Sequence, residues 1–298
     1  MAYEAKLILD SIGPNGARLT TFELTYPRFV HAELMTHRVF SRNSASSRAI
    51  PTAKLIQRVV DDPAAPVYWG ANQAGMAADD ELSGQDLIQV KAVWQHANEC
   101  MVQTAENLNS LGLHKQIANR VIEPWMFITV IVTATEFSNF FALRVHKAAQ
   151  PEIREVAAMA LELYKASTPQ RLTSGEWHLP LVTGRDHEEL IANGYSMDDL
   201  CRISTGRTAR VSYLTHDGLR DPEADLSMAS DKLASNGHMS PFEHPAQAMD
   251  EAEWNAWAMD QAREWIQNRV PMGNFWGFRQ YRKTLKNEHN FALLGANR

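Results

Sequence analysis

The sequence is short of cysteine. Cys100 and Cys201 are its two thiols in 298 residues, too few for a disulfide framework or for a zinc site of their own. Such usage suits a reducing compartment, so a cytoplasmic location is expected, with no metal. Positive charge is also scarce: 29 Lys and Arg stand against 35 Asp and Glu, a net charge of −6. This excludes a basic coat for nucleic acid and leaves any phosphate binding to local groups of arginine. No apolar run approaches the ~20 residues that cross a bilayer. The most apolar stretch spans residues 125–134. The first ten residues carry early acidic residues and lack a signal-peptide core. There is no low-complexity tract and no repeat of fixed period. The expected partners therefore include neither nucleic acid nor a membrane.

What is present is a chain 45% hydrophobic, enough to bury the core of one or two domains. Residues 3–10 and 17–25 read as strands around the turn-forming Gly13-Pro14-Asn15-Gly16. Pro27 suits the first turn of a helix running to about Arg38, with a Ser-rich loop at 39–52. Ser83 with Asp86 reads as a capping box for a helix over 84–110. A short helix over 113–122 follows, then a long apolar helix over 125–148 and another from Pro151 to about Ser167. Residues 168–196, with Pro169, Gly175, Pro180, Gly184 and Gly194, read as a linker or covering loop. Beyond them lie an extended Ala209-Arg210-Val211-Ser212-Tyr213 and a helix over 222–235. A further helix over 251–268 carries Trp254, Trp257 and Trp265. The pattern predicts an α+β fold with a helical bulk and a small antiparallel sheet. Units 1–196 and 197–298 are expected to form one intertwined domain.

The richest chemistry lies in residues 33–48. Three arginines (Arg38, Arg42, Arg48), His37, four serines and Asn43 share a short segment. Guanidinium forks, hydroxyls and backbone N–H groups are the donors that hold phosphate; a solvated polar loop has the same composition. Downstream, Asn139 and Arg144 sit among Phe137, Phe140, Phe141 and Leu143. Polar groups in such surroundings need partners, from the protein or from a ligand.

These segments together resemble the flavin-dependent thymidylate synthases. That family carries Arg-His-Arg, seven residues, then Ser; here Thr36-His37-Arg38 is followed by seven residues and Ser46. Phe22-Glu23-Leu24-Thr25-Tyr26-Pro27 is similar to the strand that leads into the family's motif helix. Ser47-Arg48 matches the nucleotide-holding end of the motif, and the run before Pro124 resembles the segment that supplies an arginine to the nucleotide. Arg120 is the choice there, with Asn119 the alternative. Ala209-Arg210-Val211-Ser212-Tyr213 and Gly237-His238-Met239-Ser240-Pro241-Phe242-Glu243-His244 are similar to motifs of the same family, but they lie after the first motif rather than before it. The order looks circularly permuted, which closely spaced termini make feasible.

The resemblance implies FAD as cofactor, with NADPH and methylenetetrahydrofolate as co-substrates and dUMP as the nucleotide methylated at C5. It places His37, Arg38, Asn43 and Asn139 on the flavin, joined by Ser212, His238, Ser240 and Glu243. It places Glu33, Ser44, Ser46 and Ser47 on the nucleotide, with Arg48 and Arg120. Arg144 becomes the activating residue that stabilises negative charge on the pyrimidine. A homotetramer with sites at subunit interfaces is implied as well.

Two positions depart from the family pattern. Thr36 replaces an arginine and Ser44 a glutamate, each removing a charge. The aromatic and basic tail at 273–283 has no counterpart in short family members, and Arg279 or Arg282 is a candidate to restore the charge missing at Thr36. Neither cysteine has a neighbouring His or Arg cluster, so both read as inert thiols rather than nucleophiles. A hydroxymethylated product, a cytosine substrate and a catalytically silent nucleotide-binding protein remain the competing readings.

Overall fold

A computed structural model describes residues 3–211, 221–256, 272–286 and 288. Ser212 and Tyr213, as well as Trp257 and Trp265, lie outside the described residues. The opening hairpin forms as its alternation predicts, with β1 (Glu4–Ile12) antiparallel to β2 (Arg18–Pro27). Pro27 closes β2 rather than opening a long helix. A 3-10 turn follows, then a five-residue α1 (His31–Met35). The Ser-rich stretch contains β3 (Ser41–Ser44), and α2 (Thr52–Asp61) comes after it. The amphipathic α3 (Gly84–Ser110) has the expected bounds. Its Ser83 makes no side-chain cap bond, however, so the expected capping box is not formed there.

The largest departure follows α4 (Lys115–Ala118) and a 3-10 stretch through Trp125. The expected helix over 125–148 is instead β4 (Phe127–Ala134) followed by a short α5 (Ser138–Arg144). Ile128-Thr129-Val130-Ile131-Val132-Thr133 is wholly β-branched and buried on both faces. A central strand of that kind has no alternation and imitates a buried helix. Helix α6 (Pro151–Ala166) starts at its proline as expected.

Residues 168–196 are more ordered than a linker. They hold β5 (Gln170–Arg171), β6 (Trp177–His178) and α7 (Gly184–Ala192). Thr183 and Asp186 form a capping box on α7, and Ser196 and Asp199 form another on α8 (Met197–Arg210). Ala209 and Arg210 are thus helical, not extended. The expected helix over 222–235 is α9 (Pro222–Ser227), continued by π and 3-10 turns. Strands β7 (Ala246–Ala248) and β8 (Phe278–Gln280) complete the described elements.

The strands make one sheet in the order β3-β4-β2-β1-β5, antiparallel except for the β1–β5 pair, and a second in the order β6-β7-β8. The fold is α+β, with helices α5 and α6 packed on the larger sheet through Phe22, Val130, Val132, Phe140, Ile153 and Val156. A buried polar ladder ties the two sheets together. His178 bonds Ser11 Oγ and Thr21 Oγ1 at 2.8 Å each, Thr21 bonds Thr133 at 2.7 Å, and Thr133 bonds His244 Nδ1 at 2.8 Å. Burial lowers the pKa of both imidazoles to about 3. Among the described residues, no helix is long and apolar enough to cross a membrane.

Candidate functional site

The segment 33–48 has two chemically different ends. At the first, α5 delivers Arg144 onto residues 33–37. Arg144 Nε donates to His37 Nε2 at 3.0 Å, and one terminal nitrogen pairs with the Glu33 carboxylate. The other donates to the Glu33 carbonyl at 3.2 Å and to Thr36 Oγ1 at 3.0 Å. Thr36 in turn donates to the Glu33 carbonyl at 2.7 Å. The hydroxyl therefore accepts from Arg144 where a second guanidinium would repel it. The positive charge beside Thr36 comes from Arg144, not from the tail.

His37 is buried between Phe40 and Phe140, with ring centroids 5.6 and 5.1 Å away. Its pKa is lowered by burial first and by Arg144 and Arg42, with a hydrogen bond to Asn139 opposing. A neutral His37 can accept from Arg144 through Nε2, which leaves its Nδ1–H as a donor. Arg38 and Asn139 are exposed beside this cluster, and so are Met35, Val39 and Leu143. The result is a fixed guanidinium bordered by open apolar surface.

At the second end the hub is a carboxylate. Glu123 Oε1 accepts from Ser47 Oγ at 2.8 Å and Arg120 at 2.8 Å, and pairs with Arg28 at 3.0 Å. Asn119 is fully buried and its amide donates to the carbonyls of Ser47 and Ile50 at 2.6 and 3.0 Å. It braces the turn, whereas Arg120 keeps 47% of its side chain exposed. Of the two alternatives, Arg120 is the one able to reach a ligand. Arg48 is exposed; Ser44 and Ser46 are half-buried. Below Ser47 lies a cavity of about 150 Å³, bordered by Arg28, Ile50, Leu55 and Trp125.

The C-terminal unit reaches the same segment from outside. Asn43 Nδ2 donates to the Thr208 carbonyl at 2.9 Å, so this expected flavin contact has its amide committed to α8. The turn 240–243 packs on β3. Glu243 is half-buried there, while His238 and Ser240 are exposed. Glu243 pairs with Arg282, and it is the nearby charge that partly offsets the burial which lowers the pKa of Arg42. Arg279 turns elsewhere, to Gln247 and Glu253.

Sequence reasoning missed Arg28, Glu123, Arg42 and Gln280. Arg42 was visible within the motif and Arg28 lies just before it, but Glu123 and Gln280 lie far from it in sequence. The thiols offer no nucleophile in this region. Burial pushes the Cys201 pKa up within α8, and Cys100 is exposed on α3.

Residues 18–170 match the family described as thymidylate synthase complementing protein. No curated protein matches the chain. Among solved structures, a UMP/dUMP methylase PolB from Streptomyces cacaoi bound with 5-Br UMP is 18% identical. That alignment covers 65% of this chain and 95% of that one, with a TM-score of 0.45. The same methylase bound with 5-Br dUMP is 23% identical over 51% of this chain and 69% of that one, with a TM-score of 0.42. The family match spans the opening hairpin's second strand, both ends of the motif segment and α6, and it is a match to nucleotide-modifying enzymes. On that match, the chain belongs to the thymidylate synthase complementing protein family.

Proposed function

We propose that this protein methylates dUMP at C5, with FAD bound beside the nucleotide, methylenetetrahydrofolate as carbon donor and NADPH as reductant. The observation that carries this reading is the fixing of Arg144 by Glu33, Thr36 and His37 next to exposed apolar surface. A guanidinium held in place can stabilise charge that develops on a pyrimidine without reorganising during the reaction. Arg120 and Arg48 supply the phosphate end, where Ser47 is already fixed through Glu123.

The donor set also fits a flavin. Planar heteroaromatic rings suit an apolar border edged by amide and imidazole donors, and Met35, Val39 and Leu143 with Asn139 and His37 provide one. When bound, the flavin supplies the redox chemistry, and the protein binds, orients and excludes water. His37, Arg38 and Asn139 would hold it from the motif side; Glu243, His238 and Ser240 would hold it from the permuted loop, with Ser212. The bonds from Asn43 to Thr208 and from Ser41 to Asn274 support units 1–196 and 197–298 acting as one intertwined domain. The same reading carries a homotetramer with sites at subunit interfaces and a cytoplasmic location.

The decisive experiment is mass spectrometry of the product formed from dUMP, methylenetetrahydrofolate, NADPH and FAD. A methyl adduct is expected. A hydroxymethyl adduct, a product from dCMP alone, or no product with no FAD retained would each overturn the reading.

A further inference from the structure

The segment 272–286 is joined to the motif loop by an amide relay. Asn274 Nδ2 donates to the Val39 carbonyl at 2.8 Å, and its Oδ1 accepts from Ser41 at 3.1 Å and from Gln280 at 2.8 Å. Gln280 is 2% exposed and also donates to the Glu243 carbonyl at 3.1 Å. Two residues further on, Arg282 grips the Glu243 side chain with one terminal nitrogen. Its Nε donates to Glu288 at 2.9 Å, and Lys283 pairs with the other oxygen of Glu288 at 2.7 Å. Glu243 thus has its backbone held by Gln280 and its carboxylate held by Arg282.

We propose that Arg282 is a positioning residue for the cofactor site: it fixes the Glu243 carboxylate, with Glu288 fixing Arg282 in turn. The inference rests on the reading that Glu243 faces the flavin. A carboxylate paired with a guanidinium acts toward it as an acceptor, with its second oxygen available to accept as well. With Oε1 taken by Arg282, Glu243 presents Oε2 to an N–H or O–H donor on the ligand. Glu288 keeps the guanidinium from swinging away, and Lys283 balances the extra negative charge. Carboxylates and cations alternate from Glu243 through Arg282 and Glu288 to Lys283, so Arg282 cannot move to Thr36 without giving up its pairs with both Glu243 and Glu288.

The test is FAD affinity, measured by quenching of flavin fluorescence on titration of the full chain, with circular dichroism confirming the fold of each variant. Arg282→Met is expected to weaken FAD binding about tenfold, and Arg282→Lys to recover most of that loss. In a Glu243→Gln background, Arg282→Met should add little, because the interaction it removes is already gone. Arg185→Met removes an exposed ion pair with Glu189 on α7, outside this relay, and should leave affinity unchanged. Wild-type affinity in Arg282→Met, additive losses in the double variant, or an equal loss in Arg185→Met would overturn the positioning role while leaving the flavin reading intact. A wild-type chain that binds no FAD would overturn both.

Discussion

The motif segment and helix α8 use arginine in opposite ways. Around the first, arginines stay near the surface: Arg144, Arg28 and Arg120 keep 17%, 19% and 47% of their side chains exposed. On the second, Arg207 and Arg210 keep 8% and 4%, and both pair with Asp225, whose carboxylate is fully buried. Their helices approach so closely that a Cβ on Gly206 would lie 2.4 Å from the Asp225 carbonyl oxygen. A half-exposed arginine can exchange a protein partner for a ligand. A buried one cannot leave its carboxylate without a large desolvation cost. The contrast separates residues that recognise from residues that specify the fold.

The sharpest way to break the contrast is Asp225→Ala, which removes the buried carboxylate that Arg207 and Arg210 share. It should cost ~3–5 kcal/mol, read as a lower urea midpoint. A midpoint within error of wild type would show that this cluster does not specify the fold. Arg144→Met should do the reverse. Product formation should fall by ~100-fold or more with the urea midpoint nearly unchanged, and Arg144→Lys should not restore it, because one ammonium cannot meet His37, Thr36 and Glu33 together. Full activity in the lysine variant would remove Arg144 from its proposed role.

The histidines that join the two sheets give the next effect. His178 and His244 are neutral in the fold, with pKa values lowered to about 3 by burial, whereas an unfolded histidine titrates near ~6.5. Between those values the unfolded chain binds more protons. Stability is therefore complete above ~6.5 and declines as the pH falls through this window. Urea midpoints at pH 7.5 and 5.0 should show the decline, and a level profile would contradict it. The smallest difference concerns helix starts. Ser196→Ala, which removes half of a formed capping box, should cost ~1 kcal/mol, and Ser83→Ala, which removes no cap bond, much less. Equal losses by thermal melting would mean that the Ser83 cap forms in solution.

Much of this was legible in the residues, for identifiable reasons. The hairpin, α3 and α6 announced themselves through turn glycines, amphipathic spacing and Pro151. The joining of His37 to Arg144 followed from the family resemblance, because no local pattern relates residues 107 positions apart. β4 was read as a helix because a strand buried on both faces carries no alternation. The capping boxes at Thr183 and Ser196 lay in a segment whose prolines and glycines suggested a loop. Glu123 was hidden because two of the three partners that make it a hub, Arg28 and Ser47, come from elements far from it in sequence; Arg120 alone of the three is near. The tail arginines drew notice by composition alone, which could not tell Arg282, on Glu243, from Arg279, on Glu253.

The reach of Asn15 has a consequence for how the chain comes to life. This residue of the first hairpin donates to the carbonyls of Met249 and Gly277, the latter 262 positions away. Gly277 adopts a φ of +73°, and a Cβ there would stand 2.6 Å from Ala17. A ribosome finishes the motif segment well before it makes Asn274 and Gln280, the residues that brace it from outside. Contacts of such long range close slowly. The nascent protein must therefore carry its arginine-rich segment half-walled until residues 274–280 emerge, and a truncation before them that spares every residue of 33–48 would still release a chain with an open site.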